Sequence, residues 1–155
     1  MISTKYNQYR ISHRGNLNGP EKETENTVNQ IKLCITEFSL DVEIDVWKEN
    51  NQLFLGHDYP QYPVSLEFLD SYNDHLWIHC KNIEALFSLK ETHNCFYHDK
   101  DDFVLTSRNF IWTYPGKKLT TNSICVLPEN HKVAYTKQDL RACIGICTDF
   151  VFNYF

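Results

Sequence analysis

The chain lacks the features that place a protein in a bilayer or on nucleic acid. None of its apolar runs approaches the roughly 20 residues that a membrane-spanning helix requires. Its formal net charge of −5 leaves no basic excess with which to hold duplex nucleic acid. We therefore expect neither a membrane span nor a nucleic-acid partner, whereas a small anionic substrate is compatible with this charge because individual sites decide its binding.

Signals for secretion and for several domains are also missing. Residues 1–6 have no apolar run of the kind found in signal peptides, and the chain contains neither repeats, low-complexity tracts nor a linker. These absences predict a cytoplasmic protein with a single domain over residues 1–155. The six cysteines lie mostly in apolar, strand-like runs, so without a secretion signal we interpret them as buried free thiols.

Short strand-like runs alternate with helices or loops along the chain. Strands are predicted at 10–14, 39–47, 52–55, 76–81, 95–98, 104–106, 110–114, 123–127 and 144–150, with helices ending near 38 and at 83–91 and 136–143. This alternation favours a parallel sheet or an α/β barrel. Because a complete eight-fold barrel takes about 250 residues, we predict a compact, irregular TIM-type (β/α) barrel with shortened or missing helices in its second half.

The first helix is predicted to begin after Thr24, which suits an N-cap, and to end near Phe38. Glu25 and Asn26 then fall in its first turn, beside free backbone N–H groups and the positive end of the helix dipole. That position suits a bound anion as well as a capping carboxylate, so both interpretations stay open for this pair.

Two carboxylates alternate with apolar residues in the run 42–46. Residues two apart on a strand project from the same face, so Glu43 and Asp45 point together while the apolar residues face the other way. Paired carboxylates repel unless a cation or a shared proton lies between them. A hard, oxygen-preferring divalent ion, Mg²⁺ or Ca²⁺, is the usual partner of such a pair, and we predict one here.

Five short motifs stand in order at the ends of predicted elements: His13-Arg14-Gly15, Glu25-Asn26-Thr27, Glu43-Ile44-Asp45, His57-Asp58 and Thr148-Asp149. With these motifs the sequence resembles the glycerophosphodiester phosphodiesterase family, within the phospholipase C-like phosphodiesterases. The match is dense over residues 11–58 and thin afterwards, where only the alternation of strands with helices or loops and the terminal strand agree with the family.

The resemblance implies a metal-dependent hydrolase of a small, glycerophosphodiester-like phosphodiester. His13 and His57 are the implied acid–base pair, and Arg14 pairs with the phosphate through its planar fork. Glu43 and Asp45 hold the cation, which acts as a Lewis acid. In the family a hydroxyl of the substrate's own alcohol attacks phosphorus, and water then opens the cyclic phosphate.

Further residues complete the predicted site, each with a structural alternative. Glu25 either joins the metal site or only supplies charge at the helix start. Asn26 either contacts metal or phosphate, or completes a turn. Lys81 is predicted to contact phosphate, with plain surface charge as the alternative. Trp112 is predicted to line the substrate mouth, with core packing as the alternative.

The sequence departs from the family at two places. The family's third metal-binding glutamate is replaced by His79, two residues before Lys81. His79 is included among the predicted metal ligands, although imidazole favours softer metals than Mg²⁺ or Ca²⁺. The segment 59–73 is too short for the insertion with which the family recognises its substrate.

Two other functions are compatible with these motifs. A barrel that binds a phosphate ligand without turnover fits the short chain and the change at His79, whereas the intact pair of His13 and His57 speaks against it. A lyase would stop at the cyclic phosphate, as the related bacterial inositol-lipid phospholipases do.

Overall fold

The computed structural model describes residues 8–132 and 134–155. Short strands and helices follow one another along the chain. The strands are β1 Tyr9–His13, β2 Asp41–Glu49, β3 Gln52–Leu55, β4 Tyr62–Val64, β5 Leu76–Cys80, β6 Cys95–Phe96, β7 Phe103–Leu105, β8 Ile111–Thr113, β9 Ser123–Val126 and β10 Gly145–Thr148. The helices are α1 Val28–Phe38, α2 Leu66–Ser71, α3 Ile83–Leu89, α4 Lys137–Ala142 and α5 Val151–Tyr154.

The ten strands of the described residues belong to one sheet. β1 lies near its middle, between β2 and β10, and both pairings are parallel. From β10 the sheet continues through β9 and β8 to β7, and from β2 it continues through β5 to β6. A hairpin of β3 and β4 is attached antiparallel to the C-terminal half of β2.

The predicted TIM-type barrel is wrong, because this sheet is mixed and does not close. β3, β4 and β7 run antiparallel to their neighbours, and in the described chain no ladder joins the two ends of the row, β6 and β7. β6 has only two residues. The N–H of Cys95 donates to Ser107 Oγ at 3.0 Å, and the N–H of Ser107 donates to the Cys95 carbonyl at 2.8 Å. A contact with a loop residue thus takes the place of strand pairing at this edge.

The helices are short. α1 is the longest, with 11 residues, and α4 and α5 have six and four. Across residues 8–132 and 134–155, no helix has both the length and the apolar character needed to cross a membrane. Between α3 and α4 the described chain forms strands, loops and the 3₁₀ turns of Pro128–Asn130.

The first helix begins later than predicted. Its N-cap is Thr27, whose hydroxyl oxygen accepts a hydrogen bond from the Gln30 N–H at 3.3 Å. Thr24 is therefore not the cap, and the prediction that Glu25 and Asn26 lie in the first helical turn is wrong. Asn26 has a φ of 56°, a left-handed conformation that ends the turn before the helix.

The two faces of the sheet bury different apolar clusters. The face that packs against α1 and α3 receives from β2 and β5 the side chains of Val42, Ile44, Val46, Leu76, Ile78 and Cys80. The opposite face buries Ile11, Trp77, Phe96, Trp112, Ile124, Val126 and Cys147. Glu43 projects from this second face, since its register partner in β5 is Trp77. The carboxylates of β2 therefore stand among the side chains of the second face, away from the helices.

Candidate active site

Strand register brings several predicted site residues together on one face of the sheet. In the β1–β2 ladder His13 is the partner of Glu43, and in the β2–β5 ladder His79 is the partner of Asp45. Register partners project from the same face, so two histidines flank the two carboxylates. Glu43 and Asp45 are 3% and 1% exposed, which leaves both carboxyl groups poorly solvated.

His13 links Glu43 to the last strand. Its Nδ1 donates a hydrogen bond to Asp149 Oδ1 at 2.7 Å, and its Nε2 lies 3.8 Å from Glu43 Oε2. Burial lowers the pKa of His13, but the bond to Asp149 and the charge of Glu43 raise it more, so the net shift is upward. Burial by itself would raise the pKa of Asp149, but the hydrogen bond and the charge of His13 outweigh burial, so the pKa lies below its ordinary value. The two shifts stabilise the imidazolium–carboxylate pair.

Asp45 is surrounded by donors and positive charge. Arg14 Nε lies 3.2 Å from its Oδ2, and Lys81 Nζ lies 3.5 Å from its Oδ1. Asn26 Nδ2 donates to Oδ2 at 3.0 Å, and His79 Nδ1 lies 3.1 Å from Oδ1. Burial by itself would raise the pKa of this carboxyl, yet His79, Arg14 and Lys81 together hold it well below its ordinary value. Asp45 is therefore ionised throughout the neutral pH range.

Glu43 has fewer partners than Asp45. Its Oε2 is buried and accepts no hydrogen bond. Burial, followed by the charge of Asp45, raises the pKa of Glu43. The positive charges of His13 and Arg14 oppose this shift without cancelling it. An ionised Glu43 is consequently a costly charge that a further cation would stabilise.

Left-handed backbone conformations hold Arg14 and Asn26 in place. Both residues have a φ of 56°, which non-glycine residues adopt rarely. The N–H of Arg14 donates to the carbonyl of Glu43 at 2.9 Å, and the N–H of Asn26 donates to the carbonyl of Arg14 at 3.0 Å. Asn26 Oδ1 also accepts a hydrogen bond from the N–H of Asp45 at 2.9 Å. These bonds fix the guanidinium beside the carboxylates, and strain of this kind is common at functional sites.

Glu25 lies on the other side of Arg14. Its Oε2 is 3.5 Å from Arg14 Nη1, and its Oε1 accepts a hydrogen bond from Asn16 Nδ2 at 2.8 Å. The carboxylate of Glu25 therefore helps to orient the guanidinium from outside, while Asp45 contacts it from the sheet.

His57 reaches Asp45 from the loop after β3. The N–H of Gly56 donates to the Asp45 carbonyl at 3.2 Å, and a β-carbon at Gly56, where φ is +148°, would collide with backbone. His57 Nδ1 lies 3.9 Å from Asp45 Oδ2, and the side chain is 39% exposed. Burial, helped by the charges of Arg14 and Lys81, lowers the pKa of His57 despite the carboxylate nearby. His57 is thus a half-buried histidine that favours the neutral form.

Asp149 and Asn16 complete the site, although neither is among the predicted site residues. Asn16 Nδ2 donates to both Glu25 Oε1 and Asp149 Oδ1, at 2.8 Å each. Glu129 Oε1 accepts from the Thr148 hydroxyl and from the N–H of Asp149, also at 2.8 Å. The motif at residues 148–149 is a sequence signal for Asp149. Nothing distinguishes Asn16 from the other polar residues of its loop.

Trp112 lies in the core rather than at a site opening. It is 2% exposed, and its ring centroid lies 4.7 Å from that of Phe96. Tyr114, two residues later, stacks on His98 with centroids 3.9 Å apart. Burial, with a contribution from the charge of Glu43, raises the pKa of Tyr114 well above its ordinary value. Of the two aromatic residues, Tyr114 is therefore the one whose hydroxyl is affected by the charge of a site carboxylate.

Three side chains at the centre of the site could share a metal ion. One ligand atom each from Glu43, Asp45 and His79 lies within 4.8 Å of the others. Glu25, which contacts Arg14 and Asn16, is not in this group. Glu43 Oε2 is buried without a hydrogen-bond partner, so it has a lone pair that a cation would satisfy. The donor set fits a divalent ion.

Comparisons of the chain with protein-family models, curated proteins and solved structures gave no match. They neither support nor oppose the resemblance carried by the five motifs. The function is therefore argued from the geometry of the site.

Proposed function

We propose that this chain is a metal-dependent phosphodiester hydrolase. The observation that supports this most strongly is that each carboxylate of β2 has a histidine beside it: His13 is 3.8 Å from Glu43, and His57 is 3.9 Å from Asp45. Arg14 borders the same pair. Phosphodiester cleavage needs an acid, a base and a clamp of positive charge around the phosphate, and these side chains supply all three.

Glu43, Asp45 and His79 would hold the divalent ion. When bound, the ion neutralises charge on the phosphate as a Lewis acid. The carboxylate pair alone would favour Mg²⁺ or Ca²⁺, whereas the imidazole favours softer metals. Arg14 and Lys81 both border Asp45. Their remaining N–H groups bind the nonbridging oxygens of the substrate, Arg14 through two donors and Lys81 as a point charge.

The opposite pKa shifts of the two histidines divide the proton transfers between them. The pKa of His13 is raised by Asp149 and Glu43 against the effect of burial, so His13 is the protonated partner. Its Nδ1 bonds Asp149, which leaves Nε2 to give a proton to the departing alkoxide. Burial lowers the pKa of His57, so the neutral ring accepts the proton of the attacking hydroxyl. Water that opens a cyclic phosphate would use the two groups in reversed roles.

The substrate we propose is a small phosphodiester. Between His57 and β5 the chain forms β4 with three residues, α2 with six, the 3₁₀ turn Asn73–His75 and short loops, so this segment offers little surface for a large alcohol group. All six cysteines lie in the described part of the chain, and each is free and buried. Free thiols are typical of a reducing compartment, and we propose a cytoplasmic setting on this ground.

Binding without turnover is a second candidate. It is favoured by the contacts of Asp45 with Arg14 and Lys81, which balance this carboxylate without a metal. A site of that kind would hold a phosphate ligand and release it unchanged. A lyase is the third candidate, and it would release a cyclic phosphate as its product.

Turnover of two diesters by histidine variants tests the proposal. His13→Ala and His57→Ala should each reduce kcat/KM on an alkyl diester by roughly 10²–10⁴, the usual size of acid–base assistance. A nitrophenyl diester, whose leaving group needs little protonation, should restore activity to His13→Ala but not to His57→Ala. The wild-type pH profile of kcat/KM should be bell-shaped.

His75→Ala is the matched control. His75 is 48% exposed and pairs with Asp41, outside the site, so its loss should leave turnover unchanged. If neither His13→Ala nor His57→Ala lost activity on the alkyl diester, the hydrolase proposal would have to be abandoned.

A further inference from the structure

The third potential metal ligand, beside Glu43 and Asp45, is the imidazole of His79. Strand pairing sets its position. Parallel pairing of β2 with β5 makes His79 the register partner of Asp45. Nδ1 of His79 approaches Asp45 Oδ1 to 3.1 Å. Because the position is set by backbone pairing, the nitrogen donor is a fixed part of the site.

The ring of His79 is also held in its orientation. It stacks on Phe96 with centroids 5.2 Å apart and an interplanar angle of 7°. The ring of His98 lies on another side, with centroids 5.5 Å apart. A ligand whose ring plane is fixed by packing loses little freedom when it binds a metal.

Glu43 leaves an acceptor in the site that the protein does not satisfy. Its Oε2 is buried without a hydrogen-bond partner, whereas Asp45 Oδ1 has His79 Nδ1 at 3.1 Å and Lys81 Nζ at 3.5 Å. Lys81 and Arg14 form their contacts with Asp45, and the ion-pair partner of Glu43 is His13, at 3.8 Å. The protein's own cations therefore lie beside Asp45, and the negative charge of Glu43 is the one that remains poorly compensated.

We propose that this site selects a first-row transition-metal ion, such as Zn²⁺ or Mn²⁺, over Mg²⁺ and Ca²⁺. The role of that ion in catalysis rests on the proposed function, but its binding does not. Mg²⁺ and Ca²⁺ prefer sets made entirely of oxygen donors. One imidazole nitrogen with two carboxylate oxygens is a set that transition ions bind more tightly.

Pulsed electron paramagnetic resonance of Mn²⁺ added to the chelator-treated protein tests the assignment. The wild type should show coupling of the ion to one histidine nitrogen, and this coupling should change to that of ¹⁵N when the protein is made with ¹⁵N-histidine. This measurement needs no variant, so it is independent of any effect of mutation on folding. Titration calorimetry should show binding of Zn²⁺ and Mn²⁺ roughly tenfold or more tighter than binding of Mg²⁺ and Ca²⁺.

Two variants locate the nitrogen. His79→Glu should abolish the nitrogen coupling, weaken Zn²⁺ binding and strengthen Mg²⁺ or Ca²⁺ binding, because a hard oxygen donor replaces the imidazole. His98→Ala is the matched control, since its ring neighbours His79 but lies outside the metal-capable group. It should retain the coupling.

The outcomes separate this inference from the proposed function. Absence of nitrogen coupling in the wild type, loss of coupling in His98→Ala instead of His79→Glu, or equal affinity for Mg²⁺ and Mn²⁺ would overturn the inference. If Mg²⁺ alone then supported diester cleavage, the proposed function would stand without it. If nitrogen-coupled Mn²⁺ bound but no metal supported cleavage, the inference would stand and the proposed function would fail.

Discussion

Glu43 and Asp45 stand two residues apart on one face of β2, and both are almost completely buried. Their pKa values nevertheless move in opposite directions: burial and the charge of Asp45 raise that of Glu43. For Asp45, contacts with His79, Arg14 and Lys81 outweigh burial and lower the pKa. The difference lies in the neighbouring side chains, because the two groups have the same chemistry and similar solvent exposure.

The different surroundings indicate different roles for the two carboxylates. Asp45 ties the loop residues Arg14 and Asn26 to β2, so it supports the local structure as well as any bound ion. Glu43 contributes less to the metal-free protein, since its Oε2 has no hydrogen-bond partner and lies 3.8 Å from His13 Nε2. A buried carboxylate whose ionisation is costly without a bound cation is suited to binding one.

The largest effect should come from Asp45→Asn. The variant leaves Arg14 and Lys81, whose side chains are only 19% and 15% exposed, without their shared counter-charge. Removing one partner of a buried ion pair costs about 3–5 kcal/mol. We expect the free energy of unfolding, measured with urea at neutral pH in the presence of a chelator, to fall by that amount. A fall below about 1 kcal/mol, the size of a surface pair, would show that Asp45 is not structurally required.

Asp149→Asn should have the next largest effect, because it removes the charge that His13 binds at 2.7 Å. A hydrogen bond to a charged group contributes about 1.5–3 kcal/mol. The pKa of His13 is raised above 6.5 in the folded protein, so its stabilisation is complete below that pH and is lost as the pH rises through the folded value. Urea unfolding over roughly pH 5.5 to 8.5 should show this decline in the wild type and a flatter profile in the variant. Parallel profiles would contradict the assigned pairing.

Glu43→Gln should change stability little. Burial raises the pKa of Glu43 above 4.5, so the folded state is penalised as the pH rises from that value through the folded pKa. Glutamine removes the penalty, and we expect the free energy of unfolding at neutral pH to change by less than about 1 kcal/mol or to increase. Calorimetry should nevertheless show that divalent-ion binding is lost, as in Asp45→Asn. A destabilisation as large as that of Asp45→Asn would contradict the difference proposed between the structural contributions of Glu43 and Asp45.

Glu25→Gln should have the smallest effect. Its carboxylate is 3.5 Å from Arg14 Nη1. Without it Arg14 keeps Asp45 at 3.2 Å, and the glutamine oxygen can still accept the hydrogen bond from Asn16, so we expect a loss of about 1 kcal/mol or less. Because Glu25 lies outside the metal-capable group, ion affinity should be unchanged. A drop in affinity comparable to that of Glu43→Gln would bring Glu25 back among the ligands.

The parts of the site that follow from local rules could be predicted from the sequence. Strand alternation is enough to place Glu43 and Asp45 on one face. The bond between Asp149 and His13 could not be read from local pattern, because it depends on the pairing of β1 with β10 across more than half of the chain. The helix α1 begins at Val28 because Thr27 is its N-cap and accepts the Gln30 N–H. Both Thr24 and Thr27 suit a cap, so the sequence does not decide between them.

The fold was predicted only in part. Alternating strands and crossovers correctly indicate parallel pairing around β1, but barrel closure is decided by contacts between distant edges. The two-residue strand β6 bonds the loop residue Ser107 where a further strand would be needed. Neither the length of β6 nor its contact with Ser107 has a signature in hydrophobic periodicity.

We propose that the paired carboxylates of β2 hold a cation that is used to cleave a phosphodiester. Phosphorus NMR of a glycerophosphodiester incubated with chelator-treated protein tests it most directly, before and after addition of Mg²⁺ or Mn²⁺. We predict no change with the chelated protein and, after the metal is added, conversion of the diester signal to that of a phosphomonoester, through a cyclic phosphate if one accumulates. Cleavage that is undiminished in the chelated protein, or a diester signal that persists with every metal, would contradict the account.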